Sequence, residues 1–258
     1  MMDLLAADVQ RLRWRALPRG LGLVALVAVV AAGVIEFVHT AKHPFDPTTG
    51  FRGAFIITAA PLALGGFLLG ASLLGSDYTS RALTTLLTWE PRRSRVLGAR
   101  AVACALVTAG LSLATLPAVT LALLPSALAH GTGASLTTTA FVSTVATGVR
   151  CALLAAAASA LGVSLAALGR STAAAIAALV VYLVVVEQVV NSVAPSVWRS
   201  LIVADSLSWV TAGSHIGGGQ RGASVRGHAV TTAGVLLLGA VVVVHALAAA
   251  ALGRRDIG

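Results

Sequence analysis

Long unbroken apolar runs alternate along this chain with shorter polar stretches that gather nearly all of its charge. Six such runs lie near residues 17–38, 54–74, 101–124, 151–168, 171–190 and 229–252. Each approaches the roughly 20 residues that, at 1.5 Å rise per residue, match a hydrocarbon core about 30 Å thick. The runs are continuous rather than alternating and are rich in Ala, Leu and Gly, which predicts helices and not barrel strands. The expected fold is an all-α integral membrane domain of six transmembrane helices, with residues 1–258 forming one unit.

Two shorter patterns stand outside the spans. Ahead of the first, Leu5, Val9, Leu12 and Ala16 recur at helical spacing while Asp8, Arg11 and Arg15 fall off that stripe. Residues 1–16 read as an amphipathic helix lying in the membrane interface, its arginines turned to anionic headgroups. An ordinary basic tail is the alternative, and the amphipathic Trp14 near the surface favours the helix.

The second pattern is the stretch GSDYTSRALTTLLTWEPRRSRVLGAR between the second and third spans. Asp77 follows the span directly and suits the start of a new helix. From there Tyr78, Ala82, Leu83, Leu86 and Leu87 form an apolar stripe, with Thr79, Ser80, Arg81, Thr84, Thr85 and Thr88 largely opposite. Pro91 ends this short amphipathic helix, because proline lacks an N–H and disfavours helical geometry before it. Arg92, Arg93, Arg95 and then Arg100 follow. The arginines alone would serve as a topological anchor with a helix resting on lipid. The stripe and the Trp89-Glu90-Pro91 tip are what such an anchor leaves unexplained.

Composition agrees with the pattern: 57% of residues are hydrophobic and 10% charged, with a mean hydropathy of +0.92, values of a membrane protein. Charge then orients it. With the N-terminus inside, twelve of the 18 basic residues are cytoplasmic. Five fall outside (Lys42, Arg52, Arg199, Arg221 and Arg226), and Arg150 sits at the edge of the fourth span. Basic loops remain cytoplasmic, so both termini are placed there, in the cell membrane. The net charge of +9 is thereby accounted for by topology, without nucleic acid as a partner. A cleavable signal peptide is the other reading of the N-terminus, but the first run is long and lacks a convincing cleavage site.

Other polar features are sparse. Cys104 and Cys151 lie within apolar runs and read as small buried residues, giving no disulfide or metal framework. Arg150 either snorkels outward or pairs with Glu187, near the outer end of the fifth span; both are candidate pathway or packing residues. Glu36, His39 and His43 cluster without the spacing of a zinc motif, and His245 reads as a neutral packing residue. Between 191 and 226, Val197, Trp198, Leu201, Ile202 and Trp209 suggest short helices in the outer interface, followed by a glycine-rich, flexible 213–222. Gly66 and Gly70 make a small-xxx-small face for close helix packing, a candidate dimer contact.

Catalytic motifs are missing from the sequence. It holds no Gly-x-Ser-x-Gly elbow, no His-Glu-x-x-His pair and no pair of intramembrane aspartates. A phosphate-binding loop needs Gly-Lys-Ser/Thr, whereas the single lysine, Lys42, stands between Ala41 and His43. The chain is therefore read as no enzyme and as holding no cofactor of its own.

In the order Asp77, Ala82-Leu83, Leu86-Leu87, Pro91, Arg93 and Arg100, the sequence resembles the type 2 (ABC-2 type) ABC transporter permeases. The acidic residue there is more often Glu, the final base commonly Lys, and a Gly-Thr element is replaced around Ser80-Arg81. Length, six spans, a basic N-terminal helix and a long last external loop extend the likeness over the chain. The resemblance implies that residues 76–95 carry a cytoplasmic coupling helix. Asp77, Leu83, Leu86, Leu87, Trp89, Glu90, Pro91, Arg92, Arg93 and Arg95 would engage a separate ABC ATPase subunit, which binds the ATP and Mg. It also implies a homodimer, or a heterodimer with a similar permease, exporting a hydrophobic or amphipathic substrate such as a lipid, drug or peptide. An ion-coupled secondary transporter, with Glu187 or His245 carrying protons, is the alternative, and a non-catalytic membrane assembly or immunity protein a third.

Overall fold

The computed structural model describes residues 2–41, 45–80, 82, 92–130, 138–198, 200–213, 215–217, 224–226 and 228–254. Among the described residues, six helices are long and apolar enough to cross a membrane. They are α2 (Ala16–Thr40), α3 (Pro47–Thr79), α4 (Arg93–His130), α5 (Thr138–Gly169), α6 (Thr172–Val193) and α9 (Val230–Arg254). A separate helix α1 (Met2–Trp14) precedes them. Between α6 and α9 come the short helices α7 (Pro195–Trp198) and α8 (Ile202–Val210), then strands β1 (His215–Gly217) and β2 (Ser224–Arg226). The strands pair antiparallel with Ile216 opposite Val225, so β1, inside the glycine-rich stretch 213–222, is extended and paired.

The helices outrun the apolar runs that announced them. At 1.5 Å per residue α3 is about 50 Å long and α4 about 57 Å, both well beyond a hydrocarbon core of about 30 Å. Their ends are polar but still helical, which hydropathy cannot see; residues 76–79 and 93–95, read as loop, belong to α3 and α4. Pro61 in α3 and Pro117 and Pro125 in α4 are carried inside helices, as neighbouring helices permit in a membrane bundle.

At the centre α3 lies against α5, and both are about half buried within the protein, whereas α6 and α9 are 11% buried over their spanning windows. The α3–α5 contact is backbone against backbone. A Cβ on Gly66 would come to 2.8 Å from the Ala155 carbonyl, one on Gly70 would run into Ser159, and one on Gly162 into Phe67. The small-residue face expected at a dimer contact is therefore used inside the chain, because only Gly lets two helices approach so closely. Thr108 Oγ1, 3.3 Å from Ser159 Oγ, brings α4 to the same seam.

Two apolar clusters lie at opposite ends of the bundle. One joins Leu12 to Leu73, Leu74, Val96, Leu97, Cys104, Val163 and Ala166. The other joins Val29, Phe55, Val119, Leu123, Cys151 and Val210. Both cysteines are free and buried, as the sequence suggests. The α5–α6 junction is tight: Arg170 takes a φ of 55° and Ser171 caps α6, accepting the Ala174 N–H at 3.0 Å.

Candidate functional site

At the arginine-rich end, α3 delivers Asp77 in its last turn and α4 delivers Arg100 two turns in. Asp77 is fully buried and Arg100 is 3% exposed. Arg100 Nη1 pairs with Asp77 Oδ2. Arg11, on α1, grips the same carboxylate in bidentate fashion, Nη2 donating to Oδ1 at 2.8 Å and Nη1 to Oδ2 at 3.3 Å. Asp8 Oδ2 stands 4.0 Å from Arg100 Nε, and Arg15 donates to Ser76 Oγ at 3.0 Å. Burial pushes the Asp8 carboxyl above its ordinary range, against the pull of Arg100 and Arg11. Buried charges must be paired in this way, since an unpartnered one costs several kcal/mol.

This arrangement differs from the sequence expectation at three residues. Asp77 lies inside α3 and binds two guanidiniums instead of capping a new helix. Arg11 and Arg15 reach protein partners rather than headgroups. The reason is local: α1 packs along α4 and buries Leu12, with Leu5 and Val9 beside it, in the apolar cluster at this end of the bundle, which places Arg11 within reach of the acid on α3.

Of the remaining coupling candidates, Arg92 is exposed and Arg95 half-buried. Arg93 Nη1 donates to the Leu252 carbonyl at 2.9 Å, where a cation suits the C-terminal end of α9. Leu83, Leu86, Leu87, Trp89, Glu90 and Pro91 lie outside the described residues.

Toward the other end, α3, α5, α6, α8 and α9 enclose a cleft of about 560 Å³. Its lining is aliphatic and small, with Ala60, Leu64, Phe67, Leu161, Leu183 and Val241 among it and no charged side chain. The polar side chains in the wall are occupied: Tyr182 Oη accepts the Ile202 N–H at 3.0 Å, and Ser206 Oγ donates to the Ile202 carbonyl at 2.6 Å. A cleft of this size and character takes a drug-sized apolar body.

Helix α8 forms one wall and is tied at several points. Its first-turn N–H groups, which no helix can satisfy internally, go to Tyr182 and to Glu187 Oε1, which accepts from Val203 at 2.9 Å. Tyr182 and Glu187 are five residues apart and in a regular α-helix would diverge by about 140°. The π-turn Tyr182–Val186 brings both to α8. Trp209 Nε1 donates to the Arg150 carbonyl at 3.0 Å, and His228 Nδ1 lies 2.8 Å from Asp205 Oδ1. Burial raises the Asp205 carboxyl while the His228 contact opposes the rise.

No ion pair joins Arg150 to Glu187, since α8 takes the carboxylate. His245 hydrogen-bonds across helices, its Nδ1 3.0 Å from Ser164 Oγ on α5. Sequence reasoning missed the joint of Asp8, Arg11, Asp77 and Arg100, the Asp205–His228 pair and the anchoring of α8. For the first, the available signal was an acid placed directly at the end of one span with an arginine, Arg100, directly at the start of the next.

Fold and site together define a multi-pass helical membrane protein with a buried ionic joint at one end of the bundle and an apolar cleft toward the other. No protein-family model matches the chain, and comparison with curated proteins gives no match.

Proposed function

We propose that this chain is the membrane-spanning subunit of an ATP-driven exporter of the type 2 ABC class, without ATPase machinery of its own. It resides in the cell membrane with both termini and the arginine-rich end in the cytoplasm. Residues 76–95 hold the coupling helix that a separate ATPase subunit engages, α1 lies along the interface beside it, and two permease chains form the working unit. The substrate is hydrophobic or amphipathic.

The observation that carries this reading is the joining of α3 and α4 by Asp77 and Arg100 across the base of residues 80–92. Both helices project past the hydrocarbon core, so a partner acting on that segment would tilt two long rigid rods. The apolar cleft supports the substrate class, since its walls offer hydrocarbon contact and no charge partner.

Co-expression with an ATPase encoded beside this gene tests it. The ATPase is expected to copurify, and Trp89→Ala with Glu90→Ala to abolish copurification. Retention of full binding by that double variant would remove the coupling assignment. Arg93 is a poorer probe, because it also ties α4 to α9. A second reading, an ion-coupled transporter, draws on the Ser164–His245 hydrogen bond between α5 and α9. Proton-gradient-driven movement in vesicles lacking any ATPase would establish it instead.

A further inference from the structure

We infer that Asp77 is a positioning residue acting wholly inside the chain: its one carboxylate fastens α1 and α4 to the end of α3, so that the three move as one body. Both oxygens are committed, to Arg11 at 2.8 and 3.3 Å and to Arg100. None of Asp77 is exposed, so it has no surface left for a partner subunit. This sets it apart from Arg92, which is exposed.

The placement gives the joint its consequence. Residues 80–92 connect α3, which ends two residues after Asp77, to α4, which begins two turns before Arg100, so the ion pair ties together the two helices that flank that segment. A pull on the segment then passes to α3 and α4 together. Arg11 extends the same body to α1, whose Leu12 is 1% exposed within the apolar cluster that also holds residues of α3 and α4. Asp8 beside Arg100 and Arg15 on Ser76 add two weaker ties along the same contact. This mechanical role rests on the permease reading, whereas the joint itself does not.

The test uses the full chain in lipid nanodiscs with spin labels at Gln10→Cys on α1 and Ser94→Cys on α4, both exposed positions. Native Cys104 and Cys151 are 0% and 2% exposed and stay unlabelled. A single narrow interspin distance is expected, broadened by Arg11→Ala and by Asp77→Asn and restored to narrow in Arg11→Lys. With copurified ATPase, addition of ATP and vanadate is expected to leave that distance unchanged. A narrow distribution surviving in both Arg11→Ala and Asp77→Asn overturns the inference, and so does a nucleotide-driven shift in the unsubstituted joint. Arg11→Ala removes a partly exposed side chain and keeps the fold, so the outcome does not hinge on Asp77→Asn folding. If no ATPase copurifies, the permease reading falls, while the comparison of labelled variants, which needs no ATPase, still decides the joint.

Discussion

Asp77 and Arg100 illustrate how a membrane protein carries charge without exposing it: the acid has no accessible surface and the base 3%. Removing one partner leaves the other buried and uncompensated. Asp77→Ala is accordingly expected to destabilise the chain by about 3–5 kcal/mol, read as a lowered thermal midpoint in detergent. Arg11→Ala, whose side chain is 42% exposed, is expected to cost no more than about 1 kcal/mol in the same measurement. Asp205 gives a pH signature. Its carboxyl titrates above the ordinary 3.8 because burial disfavours the charge, so the folded state holds its proton more tightly than the unfolded chain. The stability it contributes is full below pH 3.8 and is lost as pH rises through the raised native value. Asp205→Asn should flatten that part of the melting-temperature profile, and an unchanged slope would contradict the assignment.

Individual helices depend on close approach as much as on apolarity. Gly70→Ala places a Cβ against the Ser159 backbone, which cannot yield as a flexible side chain would. It should separate α3 from α5 and lower the yield of folded protein. Gly98 on α4 has nothing within 4 Å of its added Cβ. Gly98→Ala should therefore be neutral or stabilising by about 0.5–1 kcal/mol through helix propensity alone. Comparing the two thermal midpoints isolates packing from propensity. Helix α8 is held by contacts it does not itself contain. Glu187→Ala removes the acceptor of the Val203 N–H, and amide exchange over residues 202–210 should accelerate while that of α3 stays as it was.

On the scale of the whole molecule, a half-buried central pair, α3 and α5, is flanked by α6 and α9, which show most of their surface to their surroundings. Both ends of the bundle carry polar joints between helices, ionic at the arginines and carboxylate-to-helix at α8. The apolar cleft lies toward the α8 end. Movement at the arginine-rich end can reach the cleft along α3, which contributes to both.

The six spans were legible from residue order alone, because about 20 apolar residues crossing a bilayer must satisfy their backbone internally and only a helix does so. The separate helix before Ala16 was legible as well, from Leu5, Val9 and Leu12 at helical spacing. What the spacing could not settle was which surface that stripe meets: it was read as lying in the membrane interface, and the tertiary structure packs α1 along α4 with Leu12 in the apolar cluster at that end of the bundle. Gly66 and Gly70 announced a close contact but not its partner, which proved to be α5. Tyr182 and Glu187 share a target through a π-turn that a 3.6-residue period does not anticipate. Asp77 was read as the start of a new helix and Arg100 as a base following Pro91, and only the packing of α3 beside α4 shows that the two form an ion pair. Transfer to lipid is a property of each segment and is written locally, whereas pairing energies depend on residues far apart in sequence, and these only the folded chain decides.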